Sequence, residues 1–342
     1  MDKIQEWLQQ TPYRDYEIEV ASADASFRAY YRLDSRVKHE NDGERTENHK
    51  QKTENAVTLS FGGLTKTSVL LMDSSLEKES LTPFIDVTVR LLNAGVKAPH
   101  ILEQNLDDGF LIIEDFGNTH YLNILHDTNF KELYLNAIDE IIKMQNAETK
   151  NLPLYDKKFL HFEMDLMQEW YLEKKLNVTL NAKQKEMLES SLNKISDVVL
   201  SQPQDVFVHR DYHSRNIMLT DTNEIGIIDY QDAMSGAITY DLVSLLKDCY
   251  IEYPRKDIEE LALSFRDKKG LNTEDKEFIK WFDFMGLQRH IKVLGIFSRL
   301  HLRDAKDGYL KDIPLTLKYT IETASRYDET KELAEFLQRA QA

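Results

Sequence analysis

Val208-His209-Arg210-Asp211-Tyr212-His213-Ser214-Arg215-Asn216, followed by Ile227-Ile228-Asp229, is the stretch on which the fold turns. It places an Asp, an Asn five residues on, and a second Asp thirteen residues after that. The last Asp ends a short apolar run. This spacing fits transfer of a phosphoryl group from ATP to a hydroxyl. Such a reaction needs a carboxylate to orient the accepting hydroxyl and take its proton. It also needs hard oxygen ligands for Mg2+, which neutralises the triphosphate. On this reading Asp211 is the base, and Asn216 and Asp229 hold the metal.

The flanks agree. Val206-Phe207-Val208 reads as a strand entering the loop. Ile217-Met218-Leu219 and Ile225-Gly226-Ile227-Ile228 read as two short strands around the turn Asp221-Thr222-Asn223. The bland alternative is a polar loop with capping carboxylates. His-x-Asp by itself is common by chance, but the added Asn and strand-ending Asp at these intervals are much rarer.

The motif resembles the catalytic loop of the aminoglycoside-phosphotransferase-like kinases, small-molecule relatives of the protein kinases, whose loop also carries a His at the place of His213. Three further blocks are similar to the anomeric amino-sugar kinases of bacterial cell-wall recycling. They are Ala25-Ser26-Phe27-Arg28-Ala29-Tyr30-Tyr31-Arg32, the run from Ile228-Asp229-Tyr230-Gln231-Asp232 to Asp241-Leu242-Val243-Ser244-Leu245-Leu246, and Gln288-Arg289-His290 to Phe297. The resemblance covers nearly the whole chain. It implies an α+β, two-lobed, protein-kinase-like fold of the aminoglycoside phosphotransferase type, using ATP and Mg2+, with ATP between the lobes. It also implies an amino-sugar acceptor, N-acetylmuramate or N-acetylglucosamine, phosphorylated at its anomeric hydroxyl to the sugar 1-phosphate. The alternatives are a kinase for an aminoglycoside or other small alcohol, and a pseudokinase scaffold.

Size and composition are compatible with this. The 342 residues are enough for two lobes with cores of their own. A formal net charge of -16 argues against a nucleic-acid partner, since a phosphate-binding surface needs excess Lys and Arg. It does not forbid a local basic pocket for a small anionic substrate. One cysteine, Cys249, excludes an intramolecular disulfide and a CxxC metal site, and is expected to be a buried small hydrophobe. No apolar run approaches the roughly eighteen residues of a spanning helix, and the start of the chain has no signal-like core. A cytoplasmic monomer is expected, with no membrane partner.

Upstream, residues 1–113 read as an N-lobe. A short amphipathic helix carries Ile4, Trp7 and Leu8, and residues 17–33 run in strand fashion. Val57–Phe61 and Ser68–Met72 are expected strands, a helix starts at Pro83, and a hairpin turns over Asp107-Asp108-Gly109. The segment 34–55 is about half charged with Val37 its one apolar residue, so it reads as a mobile insertion. Residues 114–117 are the expected hinge, where Glu114 and Phe116 would hold adenine through backbone groups. Residues 118–342 then read as a mostly helical C-lobe with the catalytic loop at 209–216. Its helices are expected over 121–147, 159–176, 182–199, 240–251, 255–267, 274–304, 314–327 and 328–340.

Two departures from the kinase pattern matter. No G-x-G-x-x-G lies near the start, where Ser22-Ala23-Asp24-Ala25-Ser26 stands instead. Its N–H groups and the Ser22 and Ser26 hydroxyls are candidates to cradle phosphates, against an ordinary polar turn. The strand at 69–73 also lacks the kinase Lys. Arg28, Arg32 and Lys78 are the candidate cations, each weighed against a plain surface charge. Asp115-Phe116-Gly117 spells the kinase metal triplet but lies upstream of the catalytic loop, so position assigns it to the hinge.

The remaining candidates concern the acceptor and the loop. Arg215 is a substrate or phosphate contact, or else a salt bridge within the loop. His209 reads as a hydrogen bonder that fixes the loop, Asp241 as a carboxylate steadying it from behind, and Asp232 as a turn cap. Positions 289, 292, 296, 299 and 303 share a helix face, and four of the five are Arg or Lys. Either this is a solvated face, or Arg289 or His290 reaches the carboxylate of the substrate.

Overall fold

The computed structural model describes residues 1–23, 28–35, 60–61, 64–65 and 68–341. The insertion expected between 34 and 55 lies outside these apart from its first two residues, as do Ser26 and the strand residues 57–59. Two compact units are present. One comprises Met1–Thr88 with Ala98–Gly117, the other Val89–Lys97 with Asn118–Ala342.

The first unit begins with α1 (Asp2–Leu8) and strands β1 (Glu17–Ala23) and β2 (Ala29–Asp34). The short pair β3 (Ser60–Phe61) and β4 (Leu64–Thr65) follows, then β5 (Ser68–Asp73). After α2 (Leu81–Asn93) come β6 (Ile101–Asn105) and β7 (Phe110–Glu114). An antiparallel sheet has the order β1-β2-β5-β7-β6. Side chains alternate across its faces. Leu33, Val69, Leu71, Phe110 and Ile112 form one apolar cluster with Ile4 and Leu8 of α1 and with Tyr13. Leu111 and Ile113 alternate away from this cluster and are buried too, which is why every position of β7 is apolar except its last.

The second unit carries α3 (Tyr121–Ile124), α4 (Phe130–Met144), α5 (Lys157–Leu166), a π-helical stretch Met167–Lys175, and α6 (Ala182–Ser201). The helix expected over 121–147 is thus two. Asn129 breaks it, its carboxamide accepting from the His126 N–H at 2.9 Å and donating to the Ile124 carbonyl at 2.8 Å. Short strands follow: β8 (Val206–Val208), β9 (Ile217–Leu219), β10 (Ile225–Ile227) and β11 (Met234–Gly236). β9 pairs with β10, and β8 pairs with β11, a strand not foreseen from the sequence. The chain closes with α7 (Tyr240–Leu246), α8 (Arg255–Lys269), α9 (Asp275–Leu302), α10 (Ile313–Ala324) and α11 (Lys331–Ala340). No helix among the described residues is long and apolar enough to cross a membrane.

Helix α9 is the axis of this unit. It packs on α5, the π-helical stretch, α6, α7, α8 and α10, and is buried from Phe278 almost to Ser298 on all sides. A helix so enclosed needs small residues where a neighbour's backbone comes close. Gly295 is such a point: a Cβ there would lie 2.4 Å from the carbonyl carbon of Leu166 and 2.6 Å from its oxygen. Gly286, on the same helix, has only Val243 Cγ1 at 3.6 Å. Gly295→Ala is therefore expected to destabilise by about 1–3 kcal/mol through overpacking. Gly286→Ala should be neutral or stabilise by up to about 1 kcal/mol through helix propensity. Thermal denaturation of the two variants checks the opposite signs.

Candidate active site

The loop 209–216 hangs between β8 and β9 and is fixed from several directions. Asp241, in the first turn of α7, accepts the N–H of His209 at 2.8 Å and of Arg210 at 3.1 Å. Burial pushes its carboxyl up to about 6, against the pull of His209 and these two donors. His209 donates from Nε2 to the Ile228 carbonyl at 3.0 Å, while its Nδ1 accepts the Asp211 N–H at 3.3 Å. Burial lowers its pKa, which keeps it neutral. The Tyr212 hydroxyl donates to the Ala137 carbonyl at 2.9 Å, and the Ser214 N–H and hydroxyl both donate to Asp248, at 2.9 and 2.5 Å. Both structural readings, His209 as fixer and Asp241 as steadying carboxylate, describe these contacts.

Asp211, Asn216 and Asp229 converge. Asn216 Nδ2 donates to the Asp211 carbonyl at 3.0 Å and to Asp229 Oδ2 at 3.2 Å. The amide nitrogen is thereby committed, leaving the amide oxygen as the acceptor of that side chain. Asp229 stands just past β10 with φ 65°, a left-handed geometry that Asp tolerates better than most residues. Its Oδ1 takes a hydrogen bond from Gln231 at 3.0 Å. Among the described residues no three His, Cys, Asp or Glu side chains form an all-protein metal cage. An Asn–Asp pair of this kind suits Mg2+, which keeps waters and substrate phosphates among its ligands.

Asp211 faces a pocket also lined by His213, Cys249, Tyr250, Arg289, Lys292 and the apolar Val293, Ile296 and Phe297. Burial pushes the Asp211 carboxyl up, but the charges of Lys292, Arg289 and Arg210 outweigh it and hold the group well below the usual carboxylate range. His213 is pushed down to about 4 by burial and is neutral at pH 7.

Behind the pocket lies a carboxylate that no sequence motif marks. Glu163 of α5 is 2 % exposed and receives Arg210 at 2.7 Å, Lys292 at 3.0 Å, Gln288 at 3.1 Å and the Tyr155 hydroxyl. Arg210 adopts φ 78° immediately before Asp211. Its guanidinium is tied to Glu163, and its backbone to Asp241, so the turn that aims Asp211 is held at both ends. Lys292 also donates to the Tyr240 hydroxyl at 3.1 Å.

Several expectations change. The basic face of the long helix is not solvated where it matters: Arg289 and Lys292 are 4 % and 5 % exposed. His290 is withdrawn as a substrate contact. Its Nε2 bonds the Lys247 carbonyl at 2.9 Å, its ring stacks on Tyr319 with centroids 5.2 Å apart, and burial pushes its pKa down to about 3. A neutral imidazole pointed at a backbone carbonyl does not hold a carboxylate. Arg215 is 3.7 Å from Asp312 and lies 3.5 Å over the Tyr250 ring, so its guanidinium is already engaged.

In the first unit, Arg32 is not a surface cation. It binds Asp115 through Nε at 2.7 Å and an NH2 group at 3.2 Å, which removes it as the candidate triphosphate partner. Asp115 further accepts the Ser68 hydroxyl and the Gly117 N–H, both at 2.8 Å, so this carboxylate is a knot within the unit. Lys78 donates to the Asp107 carbonyl at the hairpin turn. Arg28 is buried ahead of β2, Phe116 is buried, and Ser22 belongs to β1. The N–H of Glu114 is taken by the His100 carbonyl at 2.9 Å, which removes it as a donor to adenine.

Comparison with known proteins agrees with this architecture. The model for the phosphotransferase enzyme family matches residues 17–276. The chain is 36% identical over 338 residues to an N-acetylmuramate/N-acetylglucosamine kinase of Neisseria meningitidis serogroup B, covering 96% of this chain and 92% of that one. A Pseudomonas aeruginosa protein of the same name is 36% identical over 328 residues, covering 94% and 88%. Among solved structures, a choline/ethanolamine kinase family protein from Mesorhizobium loti superposes with a TM-score of 0.60 at 13% identity, over 99% of this chain and 98% of that one. An ADP-bound aminoglycoside phosphotransferase, APH(2'')-Ib, gives 0.57 at 14% identity, over 94% and 98%. At such identities the structural likeness speaks to the fold alone. Taken with the family match and the near-full-length relatives, it makes this α+β chain a member of the phosphotransferase enzyme family, with the aminoglycoside phosphotransferase fold.

Proposed function

We propose that this enzyme transfers the γ-phosphoryl group of ATP to the anomeric hydroxyl of N-acetylmuramate, N-acetylglucosamine or both, giving the sugar 1-phosphate. The observation that carries the reading is the setting of Asp211. Its ionised carboxylate faces a cationic, partly apolar pocket, and Asn216 of the same loop links its backbone to Asp229. Asp211 accepts a hydrogen bond from the acceptor hydroxyl, orients it, and takes its proton as the phosphoryl group is transferred. Asn216, through its amide oxygen, and Asp229 would hold Mg2+, which supplies neutralisation of the triphosphate charge. Adenine would meet backbone groups of 114–117 other than the Glu114 and Gly117 N–H, which are already taken. The relatives' names support the choice of acceptor, and the pathway it implies is cytoplasmic peptidoglycan recycling by a single chain.

The pocket's charge weighs against an aminoglycoside, since a polycationic acceptor calls for carboxylates rather than Arg289 and Lys292. The intact Asp211, Asn216 and Asp229 weigh against a pseudokinase. An ATP-consumption screen over N-acetylmuramate, N-acetylglucosamine, kanamycin, choline and homoserine tests the reading. Turnover is expected on the amino sugars. Turnover confined to kanamycin or choline would replace the acceptor, and none on any alcohol would favour the scaffold.

A further inference from the structure

Two buried cations, Lys292 and Arg289, line the pocket with Asp211, and among the described residues they differ in their partners. Lys292 pairs with Glu163 at 3.0 Å. Arg289 is equally buried, yet among the described residues no carboxylate lies within ion-pair distance of it, and its one hydrogen bond is to Cys249 Sγ at 3.6 Å. The nearest acids cannot serve. Asp248 is consumed by Ser214 and by the Tyr250 N–H at 3.1 Å, and Asp211 is the proposed base. A buried charge is normally paired, because its lost hydration is otherwise uncompensated.

A second polar atom on the same wall is also unmatched. His213 Nδ1 is buried without a hydrogen-bond partner among the described residues, and His213 lines the pocket with Arg289. A guanidinium without a carboxylate partner, an unpartnered ring nitrogen and an apolar flank of Val293, Ile296 and Phe297 describe a site suited to a small anionic, hydroxyl-bearing molecule. A guanidinium offers a planar fork of donors, which a carboxylate fills with two parallel hydrogen bonds.

We propose that Arg289 is the specificity-determining residue of the acceptor pocket, and that it pairs with the carboxylate of the lactyl ether of N-acetylmuramate. This rests on the amino-sugar kinase reading and deepens it. N-acetylglucosamine lacks that carboxylate and leaves the guanidinium unpaired, so the enzyme favours the acid. Lys292 is excluded from the role because Glu163 and Tyr240 already hold it.

The test compares kcat/KM on the two sugars for the wild-type enzyme, Arg289→Lys and Arg289→Met. The ratio of N-acetylmuramate to N-acetylglucosamine is expected to fall about ten- to a hundredfold in Arg289→Met, and part of the way in Arg289→Lys, which keeps charge but loses the fork. A second arm needs no folded variant. Wild-type enzyme given the methyl ester of N-acetylmuramate should lose a similar factor relative to the free acid. An unchanged ratio in the variants together with an ester that performs like the acid would overturn the inference and leave the kinase reading standing. So would an equal loss on both sugars with a raised KM for ATP, which would assign Arg289 to a nucleotide phosphate. Wild-type inactivity on both sugars would overturn the kinase reading and the inference with it.

Discussion

Asp211→Asn is expected to lower kcat by about two orders of magnitude or more while leaving MgATP affinity close to that of the wild type. The substitution removes the proton acceptor and keeps the shape. The loop should stay in place, because what holds it involves other groups: the Asp211 carbonyl and N–H, Asp241 on the two preceding N–H groups, and Glu163 on Arg210. Removing this carboxylate also relieves Lys292 and Arg289 of a facing anion, so sugar affinity should change little or improve for an acidic acceptor. Single-turnover kinetics with nucleotide titration separates the two effects. Retention of more than about a tenth of wild-type turnover would mean that Asp211 is not the base.

Loss of Asp229 should behave differently. Asp229→Ala is expected to weaken MgATP binding by at least about tenfold, as well as nearly abolishing turnover, because a hard anionic oxygen ligand disappears. The same change strips Asn216 of the carboxylate that aims its amide and puts Ala at φ 65°, where a side chain without a polar group is strained. Asp229→Asn separates these causes. It keeps a residue that tolerates the left-handed backbone, so its melting temperature should exceed that of Asp229→Ala, yet it lacks the charge. Calorimetric titration of ATP with and without Mg2+ is the readout. If Asp229→Asn bound MgATP as tightly as wild type, the metal role would have to move elsewhere.

How far the sequence could be read depended on how local each feature is. The catalytic loop was readable because its chemistry is written in consecutive residues. His-x-Asp-x4-Asn, the turn at 221–223 and the strand-ending Asp229 lie within about two dozen positions, and β8, β9 and β10 fell where β-branched and apolar runs put them. Position sufficed to set Asp115 apart from the metal triplet it spells. The periodicity of α9 also gave the right face, since Arg289, Lys292 and Ile296 do line one pocket. His290 was misjudged because adjacent residues on a helix point about 100° apart, and only the packing of α7 and α10 decides what the second one meets.

The pairing of charges was beyond the sequence's reach. Nothing in the residues around Glu163 marks it as the partner of Arg210, 47 positions away, and of Lys292. Nothing around Arg32 announces Asp115, 83 positions on. The missing third-strand Lys was evident, but whether Arg32 could replace it depended on Asp115, a neighbour just past the end of β7. The sequence by itself determined the backbone frame and the chemistry of the loop, because hydrophobic periodicity and turn formation act between near neighbours. Only the tertiary structure decided which buried cations meet a carboxylate, as Lys292 does, and which, such as Arg289, do not. That outcome depends on the dielectric and the partners that distant helices bring together, and no local pattern encodes it.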